Sequence, residues 1–249
     1  MDITSDGKTR RSRERLKLSL PVRVTCRESV DHQWTEVTRL GDVTPFGTGF
    51  TLTRPTEAGR LLHLTLPMPR QLRCFDHTEQ QYRVWSIVRK VKTLKANSAG
   101  APQFSIGVAF IGKHPPANFD KDPAIRYDID PAATASGLWQ LRPQSPATAA
   151  QSRSQETRLH MPVEVVIEVL DDKGQVSARE ETVTQNISRR GAAIYTTLQI
   201  ERGRFVRLTS VSHGLTVAAA VRGCRAGADN IVRMHLEFVD EQWPLEGVE

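Results

Sequence analysis

Apolar and polar residues alternate with period two along much of this chain, and the alternation restarts again and again. It predicts strands over Leu16–Cys26 (LKLSLPVRVTC), Gln33–Leu40, Gly47–Thr53, Leu61–Leu66, Tyr82–Val91 and Phe104–Ile111. Gly, Pro, Asn and Asp separate these runs and act as turn signals. Pro21 has no N–H to give to a ladder, so its strand is expected at an edge or a bulge. No helical period precedes residue 112. Many short strands at this spacing point to a β-sandwich or barrel.

Gly112–Ser152 breaks the pattern. It begins GKHPPANFDKDP, ends RPQSPATAAQS, and reads as an inter-domain linker. Its middle, Ala124–Leu141, carries Tyr127, Leu138 and Trp139, which suits an ordered connector with no function of its own or a short helix lying against a domain. The alternation then returns over His160–Leu170, Val176–Thr184, Gly191–Thr197, Phe205–Ser210, Leu215–Val221 and Ile231–Val239. Asp171–Gly174 (DDKG) forms a turn after the first of these.

The two halves match by offset. Pro162-Val163 stands 141 residues after Pro21-Val22, Asn186 and Gly191 stand 144 after Asp42 and Gly47, and His235–Phe238 stands 128 after Gly107–Phe110. Pro67–Gln81 has little counterpart, which makes the second copy shorter. A period this long means tandem domains rather than a solenoid. The division expected is a tail over 1–9, a first domain over 10–112, a linker over 113–152 and a second domain over 153–249.

A net charge of +6 and an isoelectric point near 9.5 favour anionic partners: nucleotides, nucleic acid or a membrane surface. Cys26, Cys74 and Cys224 are scattered, with no CxxC pair, and read as reduced thiols rather than a zinc site or disulfide framework. No apolar stretch approaches the ~20 residues of a membrane span. The first fifteen residues are charged and lack an apolar core, so a cytoplasmic protein is expected. The histidines form no HxxxH or HExxH pair, and there is no GxSxG elbow, P-loop or Ser–His–Asp order. An enzyme is not expected, and neither a metal nor a cofactor. Trp34, Trp85, Trp139 and Trp243 are candidates for base stacking, although Trp34 and Trp85 sit in strand patterns that read as core.

The chemistry-bearing strings lie at matching places in the two copies. Arg10-Arg11-Ser12-Arg13-Glu14-Arg15 precedes the first strand, with Arg11 and Arg15 spaced as RxxxR, and Asp42-x-Thr44-x-x-Gly47 follows the second strand. This order resembles the PilZ family of receptors for the bacterial second messenger cyclic di-GMP. Its signature is RxxxR before a β-barrel and then (D/N)xSxxG, over roughly residues 10–112 and again 153–240. The resemblance implies an all-β protein of two tandem six-stranded antiparallel barrels. In the first it implies a cyclic di-GMP site at Arg10, Arg11, Arg15, Asp42, Thr44 and Gly47. Arg10 fits the arrangement that takes an intercalated ligand dimer.

The residue types suit that ligand. A guanidinium fork can bind guanine O6 and N7 together or stack on a purine face. An Asx side chain accepts from guanine N–H groups, and the hydroxyl two residues on adds a polar contact. Gly47 and Gly191 supply positive φ or close backbone approach. The second copy has the family-like Asn186-x-Ser188-x-x-Gly191 but a deficient arm. Arg153 and Arg158 are five apart, with Arg189 and Arg190 as replacements. The first copy has the complete arm and Thr44 in place of Ser, so the site is expected in the first domain, with Arg153, Arg158, Asn186, Ser188 and Gly191 as a second, alternative site in a copy that reads more as a structural or output partner.

Two other readings stay open. One is a ligand-independent adaptor for an unidentified protein effector. The other is a basic nucleic-acid-binding barrel, which the low aromatic content, 6%, disfavours.

Overall fold

The computed structural model describes residues 16–97, 100–130, 139–144, 158–227 and 229–245. The alternating runs close into two barrels of identical topology. In the first, β1 (Pro21–Arg27), β2 (Gln33–Thr44), β3 (Gly47–Leu52), β4 (Leu61–Leu66), β5 (Tyr82–Leu94) and β6 (Gln103–Gly112) pair antiparallel in the order β1-β2-β3-β6-β5-β4. The connector contributes a two-stranded ribbon, β7 (Tyr127–Ile129) with β8 (Leu141–Pro143). The second barrel is built from β9 (Glu164–Leu170), β10 (Val176–Ser188), β11 (Gly191–Tyr195), β12 (Phe205–Ser210), β13 (Leu215–Ala226) and β14 (Val232–Phe238), in the order β10-β11-β14-β13-β12-β9.

Period-two burial fills each interior. Val22, Val24 and Cys26 alternate inward from β1, and Val165, Ile167 and Val169 do the same from β9. Closure removes the sheet edges, so Pro21 finds no edge to occupy. It opens β1 opposite Arg39, a first position where its missing N–H is tolerated. Leu16 forms an isolated bridge to Val43 instead of belonging to β1. β2 and β10 outrun their predicted ends at Leu40 and Thr184, continuing through the signature residues to Thr44 and Ser188.

In its described residues the connector holds no helix. Ile125, Ile129, Trp139 and Leu141 pack with Phe119 and Tyr127 on Leu61, Ile87 and Ala109, covering the outer face of the first barrel. An apolar residue every few positions suits a ribbon on that face as well as it suits a helix, and the prolines disfavour the helix.

The barrels meet around two glutamates of the first. Glu28, just past β1, accepts from Trp34 Nε1 at 2.7 Å within its own barrel. Its other carboxylate oxygen accepts from Phe205 N at 3.1 Å and Arg204 Nε at 3.2 Å in the second. Glu57, in the loop before β4, is 5% exposed and faces three arginines: Arg60 at 2.9 Å, Arg126 of the connector at 3.5 Å, and Arg222 of β13 through both carboxylate oxygens. Arg60 is fully buried and also donates to the carbonyls of Glu28, Pro123 and Gly203. Gly203 has φ +93°, and a Cβ there would overlap the Glu28 carbonyl oxygen, so glycine alone lets the barrels approach this closely. Burial by itself would raise the Glu57 carboxyl, but Arg222 and Arg60 hold it down to about 2. A buried carboxylate of this kind is sustained only while its cations stay in place.

Candidate functional site

Both copies of the signature sit on a bulged hairpin. In the first barrel the register slips between Leu40 and Asp42, leaving Gly41 as the extra residue; in the second it slips between Thr184 and Asn186, leaving Gln185. Bulges re-aim the side chains that follow them, and Asp42 and Asn186 each follow an equivalent bulge. The last pairs are Thr44 with Gly47 and Ser188 with Gly191, closing loops of two residues, Pro45-Phe46 and Arg189-Arg190.

The hydroxyls have a local task. Thr44 Oγ1 donates to the Gly47 carbonyl at 3.2 Å and accepts from Phe46 N at 3.2 Å. Ser188 Oγ repeats the pair with Gly191 and Arg190, both at 3.3 Å. Thr and Ser are equivalent in this role, and the methyl of Thr44 does not disturb it. Neither Gly47 nor Gly191 has positive φ. Of the two reasons considered for glycine, close approach is the operative one. A Cβ at Gly47 would overlap the Val108 carbonyl of β6, and one at Gly191 the Leu236 carbonyl of β14.

The arm joins each barrel at this hairpin. Leu16 exchanges backbone hydrogen bonds with Val43 (3.0 and 2.9 Å), and Leu159 does so with Ile187 (2.9 and 3.0 Å). The residue ahead of each bridge is an arginine, Arg15 or Arg158. Arg158 Nη1 donates to Asn186 Oδ1 at 3.0 Å. Arg10, Arg11, Arg15 and Arg153 lie outside the described residues.

Beside each hairpin lies a cavity. In the first barrel it measures about 630 Å³ and is lined by Asp42, Thr44 and Gly47 together with Arg39, Arg89, Lys90, Lys92 and Trp139. In the second it measures about 230 Å³, and its wall includes Arg158, Ser188, Arg190, Gly191, Arg222, Arg225 and His235. Asn186 is not part of that wall; it reaches the site through Arg158. Two or more cations face each cavity, which suits a ligand with separated negative charges.

The strand cations were not evident from sequence, and a bulge explains them. β5 slips register between Val88 and Lys90, leaving Arg89 extra, and β13 slips between Val221 and Gly223, leaving Arg222 extra. RKVK within β5 and RGCR within β13 carry that signal only once the two strands are aligned on the barrel. Arg89 is exposed and has no ion-pair partner among the described residues, whereas Arg222 is held by Glu57 and, at 2.8 Å, by Glu237. Burial would lower the Arg222 guanidinium, but the two glutamates outweigh it and push the group up.

The remaining candidates separate clearly. Trp34 and Trp243 are buried, the latter stacked on Phe238, and cannot take a base. Trp85 packs edge-on against Phe119. Trp139 is half-buried in the wall of the first cavity. His63 packs on Trp85, and burial with nearby Arg83 lowers its imidazole. Among the described residues no cluster of metal-ligating side chains occurs, and no helix is long and apolar enough to cross a membrane.

Comparison with known families places a PilZ domain model over residues 152–242. That span coincides with the second barrel. The match thus falls on the copy whose arm departs from RxxxR and whose turn is the more family-like. Similar solved structures include the Bacillus subtilis inhibitor of motility MotI/DgrA (13% identity, TM-score 0.29, covering 91% of this chain and 90% of that one). Borreliella burgdorferi PlzA in complex with c-di-GMP is another (9%, 0.28, 94% and 90%), and Escherichia coli YcgR in complex with c-di-GMP a third (10%, 0.28, 88% and 76%). No curated protein matches.

Proposed function

We propose that this chain is a non-enzymatic cytoplasmic receptor for cyclic di-GMP that converts ligand binding into a changed domain arrangement or partner binding. The domains are residues 10–112 and 153–249, with 113–152 between them. The observation that carries the reading is Arg158 seated on Asn186 beside a cationic cavity, within the barrel that matches the PilZ model. Arg158 offers a fork for guanine or phosphodiester, Asn186 orients it, and Gly191 keeps β11 close to β14. Ser188 fixes the hairpin from which Arg190 reaches the cavity. Arg153, upstream on the same arm, adds the second cation.

The first barrel supplies a parallel site at Asp42, Thr44 and Gly47, with Arg10, Arg11 and Arg15 on its arm and Arg89 and Lys92 in the cavity wall. Arginine forks bind phosphodiester oxygens through charge-assisted hydrogen bonds that lysine cannot duplicate.

Calorimetric titration with cyclic di-GMP tests the proposal and gives affinity and stoichiometry together. Arg158→Ala should weaken the second-barrel site about tenfold or more, and Arg15→Ala the first by a similar factor. Absence of binding to the unaltered chain overturns the receptor reading. Binding that neither substitution weakens overturns the residue assignment.

A further inference from the structure

We infer that Arg222 is a ligand-binding residue of the second-barrel cavity, held in reserve by Glu57 of the first barrel, so that an anionic ligand and the interdomain clamp compete for one guanidinium. The inference rests on the receptor reading above and names the residue through which that site would be regulated.

Three observations support it. First, Arg222 lies in the wall of the second cavity with Arg158, Arg190 and Arg225, the surface a phosphodiester would meet. Second, its place in the fold is a ligand-facing place. It is the extra residue of the β13 bulge, as Arg89 is of the β5 bulge, and Arg89 faces the first cavity with no carboxylate on it among the described residues. Third, its present partners are divided between the barrels. Nη1 and Nη2 hold Glu57 of the first barrel, and Nε holds Glu237 of its own at 2.8 Å. The Nη edge that a phosphodiester would need is therefore the edge that holds the other barrel.

Competition follows from the geometry of the fork. A guanidinium has five N–H donors in one plane; Nη1 and Nη2 are committed end-on to Glu57 and Nε to Glu237, and the two N–H groups left point to opposite sides, so no paired edge is free for a phosphate. Turning the fork to a phosphate withdraws it from Glu57, leaving Arg60 and, at 3.5 Å, Arg126 to hold a buried carboxylate. A buried charge stripped of a partner favours solvation, which here means separation of the barrels at that seam. Linkage makes the effect reciprocal: whatever factor the clamp costs the ligand, the ligand costs the clamp.

The test compares the full chain with Glu57→Gln and Arg222→Lys by calorimetry with cyclic di-GMP, alongside small-angle scattering with and without ligand. Glu57→Gln frees the fork and should tighten the second-barrel site at least about fivefold. Arg222→Lys keeps a cation for Glu57 but loses the fork, and should weaken that site about tenfold. Scattering of the unaltered chain should show greater separation of the barrels once ligand saturates. That measurement decides the matter even if Glu57→Gln does not fold. Binding with unchanged affinity in Glu57→Gln, or with an unchanged scattering profile in the unaltered chain, overturns the inference and leaves the receptor reading intact. Absence of binding to the unaltered chain overturns both.

Discussion

Arg89 and Arg222 occupy the same bulge in two copies of one barrel, yet the first is open to its cavity and the second is gripped by a neighbouring domain. The surrounding machinery is shared: closed topology, a bulge before the Asx residue, a hydroxyl-closed hairpin, and a glycine pressed against a carbonyl. What differs is which face the other barrel covers. Duplication preserved the frame, and burial against a partner changed what one side chain in it is available to do.

The comparison breaks most readily at the seam. Arg60→Ala removes a fully buried cation from Glu57 and from three carbonyls. It should lower stability by about 3–5 kcal/mol in denaturant unfolding. A loss below about 1 kcal/mol would mean that the glutamates do not join the barrels.

The hairpins provide a sharper test. Gly47→Ala and Gly191→Ala face the same overlap, so each should cost about 1–3 kcal/mol, and the two costs should agree when melts of the variants are compared. A large cost in one and none in the other would break the equivalence of the copies.

The narrowest effect is confined to acid. The folded Glu57 carboxyl is depressed from 4.5 to about 2, so its contribution is complete above about pH 4.5 and is lost as the pH falls toward 2. Melting temperatures of the unaltered chain and of Glu57→Gln should differ near neutrality and converge across that window. A constant difference would show that the carboxylate is not the source.

Much of the fold was legible because a half-buried strand has period two, and the duplication followed from offsets such as Asp42 to Asn186. Strand ends were less legible. β2 and β10 run through their signatures because a bulge keeps the ladder going past Gly41 and Gln185, and a bulge leaves no mark on hydrophobic alternation. The hydroxyls at Thr44 and Ser188 were expected at a ligand; that each also closes its own hairpin was not legible, because the spacing is the same for both tasks. Arg222 and Glu57 were invisible as a pair. They are far apart in sequence and meet only because two separate barrels dock, and no local pattern encodes that.

Gly203 gives the pair of barrels a further property. Its missing side chain lets the Glu28 carbonyl and Ala124 lie directly against the second barrel, and the neighbouring Arg204 and Phe205 meet the Glu28 carboxylate. The two halves are therefore not interchangeable cassettes. A chimera that replaces the second barrel with another of the same topology must bring a glycine and an arginine to these positions. Otherwise the first barrel keeps two acidic residues shaped for a neighbour that is no longer there.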